Sequence, residues 1–219
     1  MSPRAIIFDF DGVIVDSEKL ANELLAAELT TVGLPTSYQD SLRLYMGRHW
    51  ADNAAAIEAR LGRPLPPDLR ERISGSFHAR IDEVGAVPGV QAFLDRTAHL
   101  PRAVASSSPV AWLRGSLERL GLAHHFGDRL FSAAEHVSRG KPAPDIYLHA
   151  AGALGVPPAE ILVIEDTPTG AAAGLAAGMM VVGLCAGGHC GPDHGESLRA
   201  AGVERVARSW AEVEETVGV

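Results

Sequence analysis

The chain has 219 residues, 47% hydrophobic and 21% charged, with a formal net charge of −8; this fits a soluble globular protein with room for a large domain or a medium and a smaller one. The acidic balance and the lack of a basic patch argue against nucleic-acid or anionic-membrane binding. No apolar run has the length of a membrane span and no signal-like leader opens the chain, and two cysteines speak against a disulfide framework, so a reducing cytoplasm is expected.

Ala5-Ile6-Ile7-Phe8 is a short continuous apolar run, as expected of a strand covered on both faces in a parallel sheet. It ends in Asp9 and Asp11, one residue apart, followed by Gly12. Residues 18–84 hold no strand-like run. Leu20, Leu24, Leu25, Leu29 and Val32 recur at helical spacing, Gly33 and Pro35 end that helix, and Gly62, Pro64, Pro66 and Pro67 break a later one.

From Val87-Pro88-Gly89 onward, strands and helices alternate. Strands are expected at Arg102–Ser106, Leu130–Ser132, Ile161–Glu165, Met179–Leu184 and, more weakly, Glu204–Ala207. Between them Val110, Leu113, Leu117 and Leu120 share one helix face, and Ile146, Tyr147, Ala150 and Leu154 another. This alternation predicts βαβ units and a parallel sheet. An isolated strand does not stand alone, so the first strand belongs to the later sheet. The expected organisation is a discontinuous α/β core, residues 1–15 and 86–219, with a helical block, residues 16–85, inserted into it.

Four places that carry chemistry all follow a predicted strand, where open α/β sheets build their sites. Asp9-Phe10-Asp11-Gly12 puts two acids where burial is costly without a cation or donors; a turn alone would need one Asp-Gly. In Ala105-Ser106-Ser107-Ser108-Pro109, helix capping by Ser108 with Pro109 at the first helical position accounts for Ser108 and leaves Ser106 to meet an anion. Lys141, held between Gly140 and Pro142 before a helix, is a compact donor for phosphate and carboxylate. Glu165-Asp166-Thr167-Pro168 ends the most apolar run of the chain; capping by Asp166 or Thr167 explains one acid, and Glu165 is left over. Asp9, Asp11 and Asp166 are hard oxygen ligands suited to Mg²⁺. With a phosphate and Lys141 the charges nearly balance, so the residues point to a Mg²⁺-dependent phosphoryl-transfer site.

DFDGVIVDS, VASSS, GKPAPD and VIEDTPTGAAAGLAAGM, in that order, resemble the four motifs of the haloacid dehalogenase superfamily, in its phosphatase and β-phosphoglucomutase-like branch. The resemblance spans essentially the whole chain and implies a Rossmann-like parallel sheet core with an inserted helical-bundle cap. It makes Asp9 the nucleophile that forms an aspartyl-phosphate and Asp11 the general acid and then base. It assigns the magnesium to Asp9, the main-chain carbonyl of Asp11 and Asp166, with Glu165 near the metal or its waters. Ser106, the Ser107 N–H and Lys141 would hold the phosphoryl group. Dehalogenases of the superfamily lack the second acid, so halide displacement is not expected. The cap histidine and arginine that orient a sugar phosphate in β-phosphoglucomutases align with Ala21 and Trp50, which favours hydrolysis over a phosphomutase reaction. DRLFSA and AAGMMVVGLCAGGH resemble a 6-phosphogluconate phosphatase subgroup.

In the helical block, Gly47-Arg48-His49-Trp50 interrupts the helical pattern; Arg48 or His49, and less so Lys19, are candidates to contact an anionic substrate group. Cys185, His189, Cys190 and His194 invite a zinc reading, but their spacing departs from the finger pattern, and a Gly-rich loop with a half-buried Cys185 accounts for them. The expected protein is a monomeric phosphatase of a small phosphorylated metabolite. A catalytically idle binding protein on the same fold would not need both Asp9 and Asp11.

Overall fold

A computed structural model describes residues 2–46 and 50–218. The chain divides into two compact units, Met1–Asp16 with Ala86–Val219, and Ser17–Gly85.

The first unit is built on six strands among the described residues: β1 (Ala5–Phe8), β2 (Arg102–Ser106), β3 (Leu130–Ser132), β4 (Ile161–Glu165), β5 (Met180–Leu184) and β6 (Arg205–Ala207). All neighbours pair in parallel, in the order β3-β2-β1-β4-β5-β6. The N-terminal strand is therefore central, as its unbroken apolar run requires. Ile7 pairs with Ala103 on one side and Val163 on the other. Ala5 and Ile7 face one core with Val163, Ile146 and Tyr147. Phe8 points the opposite way, as strand periodicity demands, into a cluster with Phe93, Phe126 and Trp210, whose centroids lie 6.0, 5.6 and 6.0 Å from its own. Two expected strands start one residue late, at Met180 and Arg205.

The helices of this unit are α5 (Val90–Arg96), α6 (Val110–Arg119), α7 (Ala133–His136), α8 (Asp145–Leu154), α9 (Pro168–Ala176), α10 (His194–Ala200) and α11 (Trp210–Val217), after α1 (Glu18–Thr31), α2 (Tyr38–Tyr45), α3 (Trp50–Leu61) and α4 (Leu69–Ala79) of the second unit. In that second unit Leu25, Leu29, Tyr45, Ile57 and Leu69 form a separate core, which follows from the leucine spacing of α1.

The strand order changes direction between β1 and β4. A crevice outside the carboxyl ends of strands opens at such a switch point, and the acids of the sequence motifs stand there.

Candidate active site

Asp9 directly follows β1, and its main-chain N–H donates to the carbonyl of Ile164 on β4 at 2.9 Å. Glu165 ends β4 and Asp166 follows it; both are fully buried. Asp9, Glu165 and Asp166 each offer an oxygen within 4.8 Å of the others. Lys141 enters from the loop before α8 and joins two of them: Nζ donates to Asp9 Oδ1 at 2.6 Å and to Glu165 Oε1 at 2.7 Å. The ammonium also lies 4.8 Å from the ring centroid of Tyr147, a cation–π contact.

Glu165 is saturated. Oε1 accepts from Lys141 and from the Tyr147 hydroxyl at 2.9 Å, and Oε2 accepts from the N–H and the hydroxyl of Thr167, each at 2.9 Å. A carboxylate has about four lone-pair positions, and all are used. Thr167 also caps α9, accepting from Gly170 N at 3.1 Å with Pro168 in the first turn. The cap expected at Asp166 or Thr167 is thus Thr167, and Asp166 is left for other work.

Neither carboxylate oxygen of Asp166 receives a hydrogen bond from the described residues, although both are buried. His189 Nε2 lies 3.0 Å from Asp166 Oδ2 without the alignment of a hydrogen bond. The Asp166 carbonyl accepts from His194 Nε2 at 2.5 Å. The loop carrying both histidines is tied to the turn after β1, where Gly188 N donates to Asp16 Oδ1 at 2.9 Å. His189, Cys190 and His194 offer potential ligand atoms within 4.8 Å of each other; His194 Nε2 meets the Asp166 carbonyl, and His189 Nε2 lies 3.4 Å from Cys190 Sγ as well as close to Asp166 Oδ2. Cys185 is half-buried.

Burial pushes the Asp9 carboxyl well above the usual range, against the pull of Lys141. Burial raises Asp166 likewise, reinforced by the charge of Glu165. Burial also works against the Lys141 ammonium, but Asp9 and Glu165 outweigh it and hold the lysine well above its ordinary value. One ammonium facing three buried acids leaves excess negative charge. A shared proton or a divalent cation restores the balance.

Gly12 has φ +83°, and a Cβ there would come 2.0 Å from Asp166 Oδ2. Gly12→Ala is therefore expected to cost about 1–3 kcal/mol in backbone strain alone and to displace Asp166. A metal-free melting curve matching the parent would contradict this.

The Asp11 carboxylate is not one of the three that meet within 4.8 Å, though its charge still acts on Asp166. Its Oδ2 accepts from the Ser108 hydroxyl at 2.6 Å, and its Oδ1 from the Trp112 indole N–H at 3.0 Å. This corrects the reading of Ser108 as a helix cap: Pro109 occupies the cap position of α6, without a side-chain cap bond, and the serine hydroxyl turns to Asp11. Ser106 at the end of β2 is buried, and its Oγ accepts from Ser108 N at 3.0 Å. Ser107 is exposed. Arg48 and His49 lie outside the described residues. Lys19 is exposed on α1, with Nζ 4.0 Å from Glu23 Oε1.

Sequence reasoning missed Trp112 and the polar role of Tyr147. Trp112 falls off the apolar face of α6 set by Leu113 and Leu117, which was the available signal. Tyr147 sits on the core face of α8, where its hydroxyl needs a partner.

A family model described as haloacid dehalogenase-like hydrolase matches residues 3–178. The chain belongs to that family. This hydrolase is 34% identical over 178 residues to fructose-1-phosphate phosphatase YqaB of Escherichia coli, across 81% of this chain and 94% of that one. It is 28% identical over 191 residues to 6-phosphogluconate phosphatase of the same species, across 86% of each. A crystal structure of a HAD family hydrolase from Deinococcus radiodurans, with bound phosphate and sodium, matches with a TM-score of 0.83 and 33% identity over 100% of this chain and 96% of that one.

Proposed function

We propose that this hydrolase is a Mg²⁺-dependent phosphatase that acts on a small phosphorylated metabolite, a sugar phosphate or sugar-acid phosphate, through an aspartyl-phosphate on Asp9. The reading is carried by one observation: an Asp9 held by an ammonium faces an Asp166 whose buried oxygens receive no hydrogen bond from the described residues, with only the His189 imidazole close by. Unsatisfied buried carboxylate oxygens are costly unless a ligand meets them. The donor set is oxygen, which suits Mg²⁺. Asp9, Asp166 and the main-chain carbonyl of Asp11 would hold the ion. Glu165 has no acceptor position to spare and instead fixes Lys141. When bound, the ion supplies positive charge against phosphate and carboxylate.

Lys141 favours the ionised form of Asp9 against its burial, and its hydrogen bond fixes the carboxylate that is presented to phosphorus. Ser106, the Ser107 N–H and Lys141 steady the phosphoryl oxygens. Asp9 forms the new P–O bond as the ester P–O bond breaks, and Asp11 gives its proton to the departing alcohol. Asp11, now a carboxylate, takes a proton from the water that attacks phosphorus, and Asp9 is released with inorganic phosphate.

Phosphate release should be measured over a panel of sugar phosphates, sugar-acid phosphates and nucleotides, with Mg²⁺ and with chelator. Turnover is expected on the sugar or sugar-acid esters with Mg²⁺ only; equal rates in chelator, or an isomeric sugar phosphate as the product, would reject the proposal. The raised Asp9 and Asp166 must shed protons to bind a cation, so Mg²⁺ affinity should rise with pH. Titration calorimetry showing tighter binding at lower pH would contradict that sign.

A further inference from the structure

Asp11 carries the acid and base steps of the proposed reaction, and among the contacts of its carboxyl with the described residues are two donors of different kinds. Ser108 Oγ is 2.6 Å from Oδ2, and Trp112 Nε1 is 3.0 Å from Oδ1. Trp112 stands in the first turn of α6 and Ser108 in the bend just before its cap residue Pro109, so the two donors reach the carboxyl from a helix and from the loop that leads into it. An indole nitrogen only donates, whereas a serine hydroxyl donates or accepts. Oδ1 must therefore stay an acceptor in both protonation states. The proton of the acid form belongs on Oδ2, with the Ser108 hydroxyl turned round to receive it.

We propose that Ser108 and Trp112 are positioning residues for the acid–base group. Trp112 locks the plane of the carboxyl and keeps the proton off Oδ1; Ser108 holds that proton on Oδ2 until the leaving oxygen takes it. This rests on the reading of Asp11 as acid and base. In the first step the Oδ2–H bond breaks, an O–H bond forms on the departing alcohol, and the Ser108 hydroxyl rotates back to donate. In the second step Oδ2 regains a proton from the attacking water, and Ser108 turns again. Ser108 neither gains nor loses a proton over the cycle.

The test compares leaving groups. An alkyl phosphate needs its leaving oxygen protonated; p-nitrophenyl phosphate, with a far more stable leaving anion, needs little help. For each protein the readout is kcat/KM on the best sugar phosphate divided by kcat/KM on p-nitrophenyl phosphate. Positioning contributes part of the roughly 10²–10⁴-fold that a general acid supplies. Ser108→Ala and Trp112→Phe are therefore each expected to lower that ratio by roughly 10–100-fold, and Ser108→Thr, which keeps the hydroxyl, to restore it. A ratio equal to the parent's, from equal losses on both esters or from no loss, would overturn the proposal, because a purely structural defect does not sense the leaving group. Asp11→Asn separates the two levels of inference. If it leaves the ratio unchanged, the acid role itself fails. If it lowers the ratio while Ser108→Ala and Trp112→Phe do not, only the positioning role fails.

Discussion

Asp9→Asn should lower kcat on the order of 10⁶-fold, the scale on which enzymes lose rate when a catalytic nucleophile is removed. An amide of the same shape cannot form the acyl-phosphate. It can still accept from Lys141 through its carbonyl oxygen, and the ammonium keeps Glu165 at 2.7 Å. One buried carboxyl that resists ionisation is also gone. The variant should therefore fold, with a melting temperature within a few degrees of the parent's. Measuring phosphate release together with a melting curve decides the matter: turnover within about tenfold of the parent in a folded variant would remove Asp9 from the mechanism.

Lys141→Met should have the largest effect on stability. The ammonium is the cation hydrogen-bonded to Asp9 and Glu165, and deleting one partner of a buried ion pair typically costs about 3–5 kcal/mol. For a chain of this size that is a fall of roughly 10 °C in melting temperature. The loss should depend on pH in a definite sense. Asp9 and Asp166 already titrate above their unfolded values, and without Lys141 they rise further, so the folded state binds more protons than the unfolded one. Stability lost at neutral pH is then regained as the pH falls towards the unfolded carboxyl pKa, about 4. Saturating Mg²⁺ should restore part of it at neutral pH by binding the folded state alone. A melting temperature that is the same at pH 5 and pH 7.5 would show that the cluster's charge is not what Lys141 balances.

How much of this was legible in the sequence depends on the range of the interaction concerned. The strands were, because runs such as Ile161–Ile164 have no polar face and suit only a sheet covered on both sides. The adjacency of β1 and β4 was not, since nothing local in Ala5–Phe8 says which later strand lies beside it. Acids after strands announced a site, but the division of labour between Glu165 and Asp166 stayed hidden. That division is set by Tyr147 and Thr167, which saturate one carboxylate, while the other meets only the His189 imidazole, 3.0 Å from its Oδ2, among the described side chains. Ser108 shows the same limit: a hydroxyl before Pro109 satisfies the local rule for a cap, but the helix starts one residue later, its Val110 N–H is met by Glu135 from far along the chain, and the serine hydroxyl donates to Asp11.

The central place of β1 has a consequence for biosynthesis. This strand is made before the other five described ones, yet both its edges stay unpaired until β2 and then β4 have been made. At usual elongation rates of roughly 5–20 residues per second, the second partner arrives many seconds after the first strand. Through that interval Ala5-Ile6-Ile7-Phe8 is an apolar segment open to strangers, while every residue of the separate Ser17–Gly85 core is made before β2 begins. The segment that leads into the buried acid cluster is thus the one that waits longest for its neighbours on the sheet.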